Sequence, residues 1–180
     1  MTDLARIGRS LLIAALVWLT WQFARTPLGP SAGESFLHLP NLVFHEAGHV
    51  LFLPFGRFVS VLGGSLLQVL VPLLCAGAFL WQHGNRFACA VCSWWAGQSL
   101  VDVAPYIADA RALQLTLIGG RTGAEVEGHD WEYLLTSLGW LQWDVALGRA
   151  THLAGSAAMV AALLWAIALI AQRREVDTPV

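Results

Sequence analysis

Long apolar runs separated by short polar breaks organise the chain. Six hydrophobic segments stand out, over about 10–24, 36–55, 58–81, 87–108, 130–143 and 151–171. A membrane-spanning helix needs ~20 residues, so the fifth segment is short for a crossing and the sixth is long enough. Backbone groups in lipid must bond within their own segment, which makes these runs helices. The predicted fold class is all-α: a polytopic membrane helical bundle of five to six hydrophobic segments. No repeat interrupts it, so 1–180 reads as a single integral-membrane domain. A Pro/Gly/Ser-rich link over 26–33 separates the first segment from the second.

Composition strengthens the membrane reading. Of 180 residues, 57% are hydrophobic and only 12% charged, whereas a soluble domain carries about a quarter charged residues. The predicted partner is therefore the lipid bilayer. A net charge of -2 supplies no basic field for nucleic acid. Arg6 and Arg9 precede the apolar run 11–19, a pattern that a signal peptide shares. The run is short and no small-x-small cleavage site follows, so an uncleaved first span is expected. The three cysteines are odd in number and lie in apolar runs, against a disulfide framework.

All ten cations are arginines. If every segment crosses, Arg6, Arg9, Arg57, Arg111, Arg121, Arg173 and Arg174 share one side, and Arg25, Arg86 and Arg149 the other. The positive-inside rule then predicts both termini on the cytoplasmic side of a bacterial-type inner or plasma membrane.

Within the second segment stands His45-Glu46-Ala47-Gly48-His49. Residues four apart share a helix face, so His45 and His49 can present two imidazoles to one ion. Glu46 sits beside them. Zinc lowers the pKa of a bound water toward ~7, and a carboxylate can take its proton and pass it to a leaving amine. Charged groups inside a membrane are costly and functional by default. One zinc ion is thus the expected cofactor, with Glu46 as catalytic base.

A catalytic zinc usually has three protein ligands and one open position. The candidates for the third are His129 and Asp102, with Asp109 behind them. Helix rise of ~1.5 Å per residue places His49 roughly 12 Å from Arg57, and Asp102 roughly 13–14 Å from Arg111. The two therefore lie at similar depth. Asp109 would lie nearer the surface unless Pro105 broke the helix. His129 opens the short fifth segment, which Asp130 could cap. Gln68, after Gly63-Gly64, offers an amide for orienting a ligand. His38, His83 and His152 read as interfacial. The metal core spans about 36–132.

An HExxH helix, one further membrane segment, then an acidic segment with Pro resembles the core of the site-2 protease family of intramembrane metalloproteases, over about 36–111. In that family the motif Asn-x-x-Pro-x-Pro-x-Leu-Asp-Gly supplies the third ligand through its Asp. Here the stretch is Asp102-Val103-Ala104-Pro105-Tyr106-Ile107-Ala108-Asp109-Ala110. Asp102 falls where the family has Asn, and Asp109 falls one position before its Asp. The second Pro and the Gly are absent. The resemblance implies a zinc metallopeptidase acting within or near the bilayer on a membrane-protein or peptide substrate. Two other readings are a non-catalytic metal-binding or sensing membrane protein, and an assembly factor in which HEAGH only packs helices.

Overall fold

A computed structural model describes residues 3–26, 28 and 35–176, with side chains for 4–26, 28 and 35–172. Most of the link over 26–33 lies outside them. The described residues form six α-helices: α1 (Asp3–Arg25), α2 (His38–Phe52), α3 (Arg57–Trp81), α4 (Arg86–Ala108), α5 (Asp130–Leu138) and α6 (Asp144–Val176). The described residues contain no strand, and one isolated antiparallel bridge joins Thr116 to Thr122. The all-α class holds, and each helix falls on a hydrophobic segment. The fifth segment is divided: α5 ends at Gly139, whose φ of 69° closes the helix in the left-handed region, and a short 3-10 turn follows at Leu141–Trp143.

Among the described residues, three helical stretches are long and apolar enough to cross a membrane: Leu4–Arg25, Arg57–Trp81 and Leu141–Gln172. That is fewer than the five or six segments suggested. α2 has only 15 residues, about 22 Å of helix against a hydrocarbon core of about 30 Å. α4 is long enough but carries Gln98, Ser99 and Asp102, which it turns inward. The most apolar windows of the three spans are only 11%, 33% and 28% buried. Most of their apolar surface therefore faces outward, as a lipid solvent requires.

Neighbour contacts set the directions. An added Cβ at Gly97 would lie 2.8 Å from Gly155 O, and one at Gly148 would lie 2.7 Å from Ala104 O. α4 and α6 therefore run antiparallel in near backbone contact, a close approach that small residues permit. α1 lies alongside both: Arg9 stacks on Phe87 and Trp94 Nε1 donates to Thr20 Oγ1 at 2.8 Å. Leu16, Phe23, Trp94, Val101, Met159, Ala162 and Leu163 fill the core between them.

The N-terminal part of α1, the α3–α4 turn and the C-terminal part of α6 thus share one end of the bundle. The other end gathers the C-terminal part of α4, the start of α3, and α5, where Arg57 stacks on Tyr133. α1 finishes at this second end beside His152, and α2 hands over to α3 there. This corrects the alternating count of crossings. Arg86 belongs with Arg9, not opposite it, so Arg6, Arg9, Arg86, Arg173 and Arg174 oppose Arg25, Arg57, Arg111, Arg121 and Arg149. With the excess gone, arginine placement no longer selects an orientation.

Candidate metal centre

α2 carries its polar residues on one face. Asn41, His45 and Gly48 are buried, while Leu39, Val43 and Val50 point outward. Glycines let this face lie on the backbone of α3. A Cβ at Gly48 would stand 2.1 Å from Gly63 O, and a Cβ at Gly64 would stand 2.7 Å from the Nε2 atoms of both His45 and His49. Gly64 therefore leaves open the space into which both ring nitrogens point. The two rings lie 4.9 Å apart at 73°.

The far nitrogen of each ring is tied down. His49 Nδ1 donates to the Ser60 carbonyl at 3.0 Å, and Ser60 Oγ donates back to His49 O at 2.8 Å. His45 Nδ1 donates to Gln68 Oε1 at 3.2 Å, while Gln68 Nε2 donates to Asp102 Oδ2 at 2.8 Å. Both outer partners are acceptors, so each neutral ring keeps its proton on Nδ1 and a lone pair on Nε2. Metal-bound histidines are fixed in this way by outer hydrogen bonds.

The third group at the two Nε2 atoms is Asp130, the first residue of α5. Its Oδ2 lies 2.9 Å from His45 Nε2 and 3.2 Å from His49 Nε2. Two lone pairs and a carboxylate oxygen converging in a partly buried site repel one another without a cation between them. Ligand bonds of ~2.1 Å at tetrahedral angles place donor atoms roughly 3.4 Å apart. The observed distances are close to that. His45, His49 and Asp130 form a group that could hold a metal ion, with their ligand atoms all within 4.8 Å of one another. An N₂O donor set of this kind suits zinc or another first-row divalent ion.

Asp130 and His129 exchange the roles that the sequence suggested. His129, not Asp130, caps α5: the Glu132 backbone N–H donates to His129 Nδ1 at 3.1 Å. The other ring nitrogen turns toward Asp109, 3.4 Å away, and the ring packs on Tyr106 at 4.3 Å. Burial holds the His129 imidazole below its ordinary pKa, against the opposing pull of Asp109. The Asp130 backbone N–H donates to the Tyr106 hydroxyl at 3.0 Å.

The remaining candidates also stand away from the metal position. Asp102, with a side chain 3% exposed, accepts from Gln68, from Asn41 Nδ2 at 3.2 Å and from His38 Nδ1 at 3.0 Å. It braces His45 through Gln68. His38 is thus a partner of this network and not merely interfacial. Asp109 accepts from the Gln114 and Leu115 amides at 3.0 and 2.9 Å. α4 continues through Pro105 to Ala108, so no break folds Asp109 toward the histidines. Asp130 was missed because Asp is a favoured cap and His is not. Its sequence signal was adjacency to His129 at a helix entry.

Beside the metal position opens a cavity of about 730 Å³. The α2 residues His38, Leu42, His45, Glu46 and His49 form one wall, and Leu115, Thr116, Leu117 and Ile118 form part of the other. Glu46 is exposed on this wall, next to the histidine it follows. The arrangement offers three ligands, an open approach and a neighbouring carboxylate. Comparison with protein-family models, with curated proteins and with solved structures finds no match to this chain.

Proposed function

We propose that the protein is a membrane-embedded zinc metallopeptidase that hydrolyses peptide bonds within or near the bilayer. The observation that carries this is the meeting of His45 Nε2, His49 Nε2 and Asp130 Oδ2 at one point on the wall of a cavity that Glu46 also lines. Bound there by His45, His49 and Asp130, zinc would supply Lewis acidity toward a carbonyl and lower the pKa of water toward ~7. Glu46 takes the proton as water oxygen bonds to the scissile carbonyl carbon. It then delivers that proton to the departing amine nitrogen as the C–N bond breaks.

The shape of the cavity suits an extended peptide. From His38 to His49 the helix rises by about 16 Å over eleven steps, enough for roughly five extended residues at ~3.3 Å each. Four consecutive residues, 115–118, border it. Side chains of a strand alternate between faces, so a cavity touching all four runs along the backbone edge. Leu117 N donates to Arg121 O at 2.8 Å, which pairs one edge of this segment with 121–122. In that ladder the N–H and C=O of Thr116 point to the opposite edge, where a substrate strand can add.

The test is a comparison of purified full-length variants. The wild type should carry about one equivalent of zinc and cleave unfolded membrane-derived peptides. Glu46→Gln should keep the zinc and lose cleavage. A His45→Ala, His49→Ala double variant should lose both. Zinc content unchanged in the double variant would sink the metal site. Cleavage unchanged in Glu46→Gln would sink the catalytic reading and leave a metal-binding protein.

A further inference from the structure

A second site lies at the end of the bundle away from the metal. There α1, α4 and α6 enclose a cavity of about 360 Å³ lined by Arg9, Asn85, Arg86, Phe87, Leu169 and Gln172 among others. Arg9 and Arg86 both line it, and among the described residues no carboxylate does. Arg9 is held in place, since its guanidinium carbon sits 4.8 Å from the centroid of the buried Phe87 ring. The cation is thus fixed against a wall instead of moving free in solvent.

The cavity has an apolar floor. Phe87, Ala90 and Ala166 form a buried cluster, and Ile13, Leu169 and Ile170 pack against it. Ile13 and Leu169 belong to two of the three membrane-crossing stretches, and α6 runs on past Gln172 into Arg173 and Arg174. Cationic groups therefore meet apolar helix surface at the level where a crossing helix leaves the hydrocarbon. A free anion would be served by the cations alone. The adjoining apolar surface matches a ligand with both a charged head and a hydrocarbon tail.

We infer that this cavity binds the phosphate headgroup of an anionic phospholipid, with Arg9 and Arg86 holding the phosphate and the Phe87–Leu169 wall lying along the acyl chains. Arginine near an anionic membrane surface strengthens attachment about fivefold for each cation, and basic pockets between membrane helices hold such headgroups. The inference is independent of the metal centre, which lies at the other end.

The experiment is native mass spectrometry of the full-length protein released from nanodiscs of phosphatidylcholine doped with phosphatidylglycerol. The wild type should retain phosphatidylglycerol over phosphatidylcholine. Arg9→Gln with Arg86→Gln should lower that retention about 25-fold, and Arg86→Gln alone about fivefold. Arg149→Gln, at the opposite end, should leave it unchanged. Arg9→Lys with Arg86→Lys keeps the charge and should keep most of the preference, which separates recognition from misfolding. Equal retention of the two lipids by the wild type, or an equal loss in Arg149→Gln, overturns the inference. So does displacement of the lipid by millimolar inorganic phosphate alone, which would assign the cavity to a free anion.

Discussion

Asp130 Oδ2 stands 2.9 Å from His45 Nε2, although the two residues are 85 apart in the chain. The contact joins the first residue of a nine-residue helix to the centre of another. It depends on the Tyr106 hydroxyl, which takes the Asp130 amide, and on His129, which caps α5 and leaves Asp130 to point inward. Neighbouring residues at one helix entry therefore do different work.

That division gives a direct comparison. Asp130→Ala removes a ligand and should weaken zinc binding by roughly 100-fold or more, since loss of an outer-sphere partner alone costs 10–100-fold. His129→Ala removes a cap, about 1 kcal/mol of stability, and should leave one zinc per chain. Dialysis against a chelator followed by metal analysis measures both. Equal zinc loss in the two variants would falsify the assignment of Asp130.

Gly64→Ala places a methyl carbon within 2.7 Å of both Nε2 atoms. It should abolish zinc binding while the helical content holds. Gly48→Ala meets the Gly63 carbonyl instead. There the overlap is with backbone, so α2 must lift from α3, at a cost of about 1–3 kcal/mol for overpacking. Circular dichroism melts and zinc content separate the two: metal loss alone in the first, metal loss with a lower Tm in the second.

Gln68 and Asp102 orient His45 without touching the metal position. Gln68→Leu and Asp102→Leu should each reduce zinc affinity about 10–100-fold. Cobalt substitution gives a sharper readout, because a rotated imidazole changes the visible spectrum of the ion. An unchanged cobalt spectrum and zinc affinity in both variants would remove them from the supporting network.

Thr116→Pro tests the substrate edge. The hairpin bond runs through Leu117 N, which this change leaves intact. The Thr116 N–H that faces the free edge is lost. One hydrogen bond is worth about 0.5–1.5 kcal/mol, so KM should rise about 2–13-fold with zinc content unaltered. A KM equal to wild type would show that substrate does not pair there.

Much of this was legible in the chain. The HEAGH spacing alone puts two imidazoles on one face, because a helix brings residues four apart together. The apolar runs located all six helices, because lipid-facing and buried helices both need continuous apolar residues. Helix rise set Asp102 level with His49, whereas its hydrogen bonds are with His38, Asn41 and Gln68. It could not show that Gln68 stands between Asp102 and His45, because rise gives depth and says nothing of lateral position.

The sequence by itself determined a helical membrane chain with two metal-seeking histidines and a carboxylate beside them. Only the tertiary structure decided that α1 ends where α3 starts, that Asp130 meets the histidines, and that His129 turns away. These outcomes depend on how 109–129 folds back over α4 and on which side of a helix entry faces the bundle. Local periodicity carries neither, because both are fixed by backbone hydrogen bonds that Asp109 and Tyr106 accept outside the helix ladder and by the glycine contacts that bring α2 against α3.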